Sequence, residues 1–480
     1  MRRTSICHCH PAVQVARPTD RELANRRAQS SNLAEAVILS SAAAQLPTHQ
    51  KCQPPRFLAT LPNLCNLHQS KVTINRGQRP RWDEWCMNGP DRRGAYTGPS
   101  RGEGRVSEDD WRRWVPEAAQ RYLPRPDADW TQFVPPEWRT WLAASPAPRP
   151  QTPTLRFIAV DEERPGPRWS ALYGETWEAY RGWWLGGKGS RPDRATAEAR
   201  LRRYMPELVD VHGELVGLAG DDDTAAAMLT LWNPPPFIVA CSQAVVPDRD
   251  TGEPVLLRNY DYDPRLFEAT VYRSRWSGRR VMGTGDCLWG LVDGVNDAGL
   301  ALSLTFGGRR AVGEGFGIPL VIRYVLEVAG DVAEGVEVLR QVPHQLSYNV
   351  TLCDRSGAVA TVFIAPDRPA RVTDLRAITN HPESVEWPEH ASWVRSVERL
   401  ELLCELEASG ADDRSTVAAM LSPPLLARRW SEGFATLFTA AYRPASGRLD
   451  YRWPDRRVPL RLDEPVPTEF SVELDDPDGA

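Results

Sequence analysis

From Leu155 onward, short apolar runs with two different spacings alternate along the chain. The stretches "LRFIAVDEE" (155–163), "PVLLRNY" (254–260), "RRVMG" (279–283), "LWGLVDGVN" (288–296), "LALSLTF" (300–306), "SYNVTLCD" (347–354) and "AVATVFIA" (358–365) read as strands. Gly, Asp-Pro and "DRSG" turn signals separate them. Helical spacing marks residues 195–220, interrupted at Pro206, and "DDDTAAAMLTLW" (221–232), whose acidic first turn suits a helix N-terminus and which "NPPPF" stops. Two longer helices are predicted over "IPLVIRYVLEVAG" (318–330) and "ASWVRSVERLELLCELEASG" (391–410). Strand runs interleaved with helices predict a layered α+β sandwich.

The first part of the chain lacks this patterning. Residues 1–107 are rich in Arg, Gln, Ser, Asn and Pro with no sustained period, which predicts a disordered or non-native extension. Met87, the only methionine between Met1 and Met205, offers an alternative start. Residues 108–154 alternate Trp with Arg and Pro and end in the linker "AASPAPRPQTPT", an appendage ahead of a regular domain over 155–480.

Composition narrows the function classes. With 480 residues, 41% hydrophobic and 25% charged, the chain is long enough for a sizeable core. Its net charge of -5 argues against nucleic acid or an anionic membrane surface as the main partner. No apolar stretch suits a membrane span or a secretory leader, so a cytoplasmic location is expected. Five of the nine cysteines precede Met87; the other four, Cys241, Cys287, Cys353 and Cys404, lack the spacing of a disulfide framework or zinc site. "CHCH" (7–10) has no second ligand pair at finger-like spacing, so no metal and no cofactor are expected.

The candidate chemistry centres on Cys241, in the middle of the chain. A cysteine after "FIVA" is most often a small buried hydrophobe. However, Arg258, Asn259 and Asp261 close the next strand and bring a cation and an anion to one strand end. A thiol of ordinary pKa is only a few per cent thiolate at neutral pH, and Arg258 is placed to supply a stabilising cation. The histidines after Cys241, at 344, 381 and 390, carry no signature of a cysteine–histidine pair. A different base is the cysteine's own α-amine, available only once the Ala240–Cys241 bond is cut.

In its ordered motifs the chain resembles the penicillin acyltransferase-like autoproteolytic family of N-terminal nucleophile hydrolases, related to the choloylglycine hydrolases. The resemblance spans roughly residues 214–473. Its motifs are the cysteine at a cleavage point, "RNYD" (258–261), "DGVNDAGLALSLTF" (293–306), "ITNHPES" (378–384) and "FATLFTAAYRPASGRLDYRWPD" (434–455). It implies a four-layer αββα sandwich, self-cleavage before Cys241 and two cleaved chains that stay associated. It implies acyl transfer from a small-molecule acyl amide or acyl thioester through a thioester, to water or to an amine.

Residue by residue, the resemblance implies that Cys241 is the nucleophile, Arg258 steadies the thiolate, Asp261 orients the α-amine and Asn380 donates to the oxyanion. Thr305 stands where choloylglycine hydrolases tend to have an oxyanion-hole asparagine, Asn296 and Asn349 are supporting amides, and Arg395 on its amphipathic helix is not expected to take part. Two readings compete: an uncut hydrolase with His381 as base, and a non-enzymatic fold relative in which Cys241 is core and the Trp-rich segment before Gly186 mediates binding.

Overall fold

The computed structural model describes residues 154–186, 191–430 and 434–474. The expected extension, Met87, the "CHCH" run and all of the appendage except Thr154 lie outside the described residues.

The described chain opens with β1 (Thr154–Glu162) and four helices, α1 (Pro167–Gly186), α2 (Arg194–Tyr204), α3 (Val209–Leu218) and α4 (Asp223–Leu229). The interruption expected at Pro206 is a single 3-10 turn, Pro206–Leu208. Asp193 and Asp222 cap α2 and α4 by accepting from the backbone N–H groups of Thr196 and Ala225.

Next come β2 (Ala240–Pro247), β3 (Pro254–Tyr262), β4 (Thr270–Ser274), β5 (Val281–Asp286), β6 (Gly290–Leu291), β7 (Asp293–Asn296) and β8 (Leu300–Phe306). A helix pair, α5 (Ile318–Val328) and α6 (Val332–Gln341), precedes β9 (Tyr348–Asp354), β10 (Val359–Ala365), β11 (Arg368–Thr373) and β12 (Ala377–Ile378). The helix expected over 391–410 is two helices, α7 (Pro388–Trp393) and α8 (Ser396–Ala408). Arg395, at φ 54° in the left-handed region, breaks it, and the apolar pattern carries no Gly or Pro that would announce the break. The chain continues through α9 (Asp413–Met420), β13 (Arg428–Arg429), β14 (Phe434–Arg443), β15 (Arg448–Arg452), β16 (Arg457–Arg461) and β17 (Glu469–Glu473).

Among the described residues these strands form two sheets. One runs β11-β10-β9-β8-β7-β5-β4-β1-β17 with β6 paired to β5, the other β12-β2-β3-β14-β15-β16 with β13 paired to β14. The sheets face each other through β2 and β3 against β8 and β9, and β14 against β7. Helices α5 and α6 cover the first sheet, and α8 and α9 cover the second, which makes the expected four-layer αββα sandwich.

Side-chain alternation on β2 and β3 decides where the chemistry falls. Ala244, Val246, Val255 and Leu257 pack under α8 and α9 with Leu400, Leu403, Leu406, Val417 and Met420. Cys241, Val245, Leu256 and Tyr260 belong instead to the large core cluster that the first sheet shares. One strand pair therefore presents one set of polar groups to each layer. No described helix is long and apolar enough to cross a membrane.

Candidate active site

Cys241 is the second residue of β2 and has no exposed surface. Its backbone N–H donates to Asn380 Oδ1 at 3.0 Å. Its sulfur accepts from Arg258 Nη2 at 3.1 Å. Arg258 reaches it from β3, whose register sets Tyr260 opposite Cys241. The other face of the guanidinium is fixed: Nη1 donates to Asp293 Oδ2 at 2.6 Å and to the Val292 carbonyl at 2.8 Å. Asp293 is in turn held by the Tyr442 hydroxyl at 2.6 Å and the Thr284 N–H at 3.1 Å. Arg258 also lies over the Tyr260 ring, 4.6 Å from its centre.

The sequence reading put Arg258 and Asp261 together at a strand end, and the structure corrects this. The two residues are three apart on one strand and point to opposite faces. Asp261 faces the helix layer, where Arg399 Nη1 donates to Oδ2 at 2.5 Å and the Thr436 hydroxyl donates to Oδ1 at 2.6 Å. It sits opposite Ala240 in the β2–β3 ladder, beside the Ala240–Cys241 bond, while the hydrogen bond from the Cys241 nitrogen goes to Asn380.

Arg399 was not singled out from the sequence, yet it joins three polar groups on this side. Besides Asp261 it donates to Ser242 Oγ at 3.0 Å and to Asn380 Oδ1 at 2.7 Å. Its signal was legible, because Arg399 falls in phase with Ser396, Leu400, Leu403 and Leu406 on the buried stripe of α8. Arg395, which is not expected to take part, pairs with Glu398 at 2.5 Å.

Asn380 follows β12, which pairs with β2 at Gln243 and Ala244, two and three residues beyond Cys241. Its Nδ2 carries two hydrogens and donates to the Phe306 carbonyl at 3.2 Å, leaving the second for another acceptor. Thr305 and Asn349 buttress this loop. Thr305 Oγ1 donates to the Thr379 carbonyl at 2.9 Å, and Asn349 Nδ2 bonds Thr305 Oγ1, the Thr379 carbonyl and the His381 carbonyl at 3.1, 2.9 and 3.2 Å. Gly308, at φ 63°, closes it from the other side, where any β-carbon would collide with the Asn380 carbonyl oxygen. Asn296 is not brought to the cluster. Its amide ties the end of α5 to the β7–β8 turn through the Leu326 and Ala329 carbonyls and the Ala298 and Leu300 N–H groups.

His381 Nδ1 faces Ser396 Oγ at 2.7 Å, and burial, helped by Arg399, pushes its pKa down to about 4. Among the described residues, no group of three or more His, Cys, Asp or Glu side chains is placed to hold a metal.

Burial pushes the Cys241 thiol above its ordinary range, and Arg258 beside it offsets only part of that. In the uncut chain the thiolate is therefore a minority at neutral pH, and its share rises about tenfold per pH unit while pH stays below the thiol's pKa. Any reaction of this thiol in the precursor is expected to accelerate with pH across 6 to 9. A time course of chain cleavage in freshly translated protein measures this; a flat profile would mean that thiol ionisation does not limit the step.

Residues 248–458 match the model of a family described as acyl-coenzyme A:6-aminopenicillanic acid acyl-transferase. The match takes in Arg258, Asp261, Asn380 and Arg399 and begins after Cys241. The chain thus resembles the penicillin acyltransferase-like family to which its motifs pointed. No curated protein matches it. Among solved structures, the conjugated bile acid hydrolase of Clostridium perfringens is similar at 14% identity, over 49% of this chain and 96% of that one, with a TM-score of 0.35. An N-acylethanolamine-hydrolyzing acid amidase ortholog from Caenorhabditis elegans is similar at 17% identity, over 45% and 94%, with a TM-score of 0.33. Penicillin V acylase from Agrobacterium tumefaciens is similar at 14% identity, over 46% and 84%, with a TM-score of 0.30.

Proposed function

We propose that the chain is an amidohydrolase or acyltransferase of the N-terminal nucleophile type, made as a precursor that cuts itself between Ala240 and Cys241. The observation that carries this reading is the double grip on one residue, with Arg258 on the Cys241 sulfur and Asn380 on its backbone nitrogen. A structural cysteine needs an acceptor for its buried N–H but no guanidinium at its sulfur. A nucleophile that uses its own amine as base needs both atoms held.

In maturation the thiol attacks the Ala240 carbonyl. The new carbon–sulfur bond replaces the carbon–nitrogen bond, and the thiol proton passes to the freed Cys241 amine. Water then adds to the thioester, giving the Ala240 carboxylate and regenerating the thiol. In turnover the same sulfur attacks a substrate acyl carbonyl, the amine takes the thiol proton and returns it to the leaving group, and water or an acceptor amine releases the acyl group. Arg258 steadies the thiolate. Asn380 holds the amine through Oδ1 and offers its free Nδ2 hydrogen to the oxyanion. Asp261 acts on the amine through Arg399 and Asn380. We place it in the cytoplasm, since no apolar stretch of the sequence suits a secretory leader or a membrane span.

Asn380→Ala is expected to impair cleavage, because the Cys241 N–H loses its acceptor, and to slow turnover in whatever fraction is cut by roughly a hundredfold or more while the fold survives, as for loss of one oxyanion donor. Steady-state kinetics on a panel of simple acyl amides, with circular dichroism on the same samples, tests this. Wild-type rates in the variant would remove Asn380 from the reaction.

A further inference from the structure

The ten residues ahead of the proposed cut fall into two parts with different anchoring. Residues 231–234 are pinned. The Leu231 carbonyl accepts from the Gly317 N–H at 2.8 Å, and Asn233 exchanges bonds with Gly315, N–H to carbonyl at 2.9 Å and Oδ1 from N–H at 2.8 Å. Arg191 Nη1 donates to the Asn233 carbonyl at 2.6 Å, and Gln345 Nε2 donates to the Pro234 carbonyl. The Trp232 ring lies 4.9 Å from that of Phe316 and 6.2 Å from that of Tyr204.

The pinning stops at Pro234. Pro235 and Pro236 have no N–H to donate. Outside the β-ladders, no backbone–backbone hydrogen bond of the described residues involves residues 235–239. The Tyr348 hydroxyl ties this stretch, donating to the Phe237 carbonyl at 2.5 Å. Yet the tail is deeply covered: Phe237, Val239 and Ala240 are 6%, 2% and 4% exposed, and the Phe237 ring lies 6.0 Å from that of Tyr262. An apolar tail, led by two prolines and tied by the Tyr348 hydroxyl until Ala240 enters β2, runs up to a residue whose thiol has no exposed surface.

Resting on the functional reading above, we infer that residues 237–240 occupy the acyl-binding groove, and that Tyr348 selects the substrate once the tail has left. Ala240 supplies the acyl half of the bond broken in maturation, so its tail is bound as the acyl group of the first turnover. The same sulfur must reach a substrate carbonyl in the same place. The groove then takes an elongated apolar acyl group with a hydrogen-bond acceptor at most ~10 Å from the scissile carbonyl, the greatest span of three residues. Such an acceptor takes over the Tyr348 hydroxyl from Phe237, as a second amide in an acylated peptide does.

Two fluorogenic amides of 7-amino-4-methylcoumarin test this: acetyl-Phe-Ile-Val-Ala, which copies the tail, and butyryl, which ends short of Tyr348. Binding of the product acid acetyl-Phe-Ile-Val-Ala, by calorimetry, gives a readout that needs no turnover. Cleaved wild-type protein is expected to favour the tetrapeptide amide in kcat/KM and to bind the product acid. Tyr348→Phe is expected to lower the tetrapeptide-to-butyryl ratio about fivefold to tenfold, the worth of one hydrogen bond. Uncut Cys241→Ala, its own tail in place, is expected not to bind the product acid. Butyryl hydrolysis without tetrapeptide preference or product binding overturns the groove and leaves the functional reading standing. Product binding with no hydrolysis of either amide supports the groove and sinks the functional reading.

Discussion

Cys241→Ala is expected to yield one intact, inactive chain of 480 residues, where the active wild type yields two pieces of 240 residues each on a denaturing gel. The substitution removes the sulfur that Arg258 holds and leaves the N–H bonded to Asn380 untouched, so the precursor should fold as before. Without a nucleophile beside the Ala240 carbonyl, neither the acyl shift nor later turnover has a first step. N-terminal sequencing of the second piece in the wild type should read Cys-Ser-Gln-Ala-Val. A fully active preparation that stays in one piece, and loses activity in His381→Ala, would transfer the role of base to His381.

The second large effect is expected at Arg399. Its guanidinium is 1% exposed and bonds three oxygens, those of Asp261, Ser242 and Asn380. Arg399→Met leaves the Asp261 carboxylate buried against a single neutral donor, Thr436, and breaking a buried pair in this way costs ~3–5 kcal/mol. Cleavage should fail as well, because Asn380 Oδ1 loses its second partner and the Cys241 nitrogen its fixed acceptor. Urea unfolding in the uncut Cys241→Ala background measures the first effect, and gels of the single variant measure the second. The double variant Arg399→Met with Asp261→Leu separates the two, since replacing both partners by apolar groups should recover stability without restoring cleavage. Recovery of cleavage there would reduce the pair to a packing device.

The layered fold was legible because strand and helix periods were both strong after Leu155 and turn residues marked their ends. The break at Arg395 was not, since a left-handed arginine between two amphipathic helices leaves the apolar pattern intact. In the candidate site, the motifs marked Cys241, Arg258 and Asn380, which the structure brings into hydrogen-bond contact, whereas Asp261 lies on the opposite face of the strand from Arg258. What the motifs did not reveal is the pairing across layers. Period two sends Arg258 toward Asp293 on the opposite sheet and Asp261 toward Arg399 on a helix, and both partners lie far away in sequence. Thr305 and Asn349 were seen as amide or hydroxyl candidates, but only the tertiary contacts show that they support the Asn380 loop, and that Asn296 serves a turn elsewhere.

One topological detail bears on how the cut molecule would survive. Strand β1 lies ahead of the cleavage point yet sits inside the larger sheet, parallel to β4 on one side and antiparallel to β17 on the other. The precursor forms these pairings within one chain, at a rate independent of protein concentration. After the cut the same pairings join two molecules, so recovery from denaturation becomes a second-order process that slows on dilution, and the unfolding midpoint acquires a concentration dependence. The uncut chain would be the form that folds, and the mature enzyme a form that folds once.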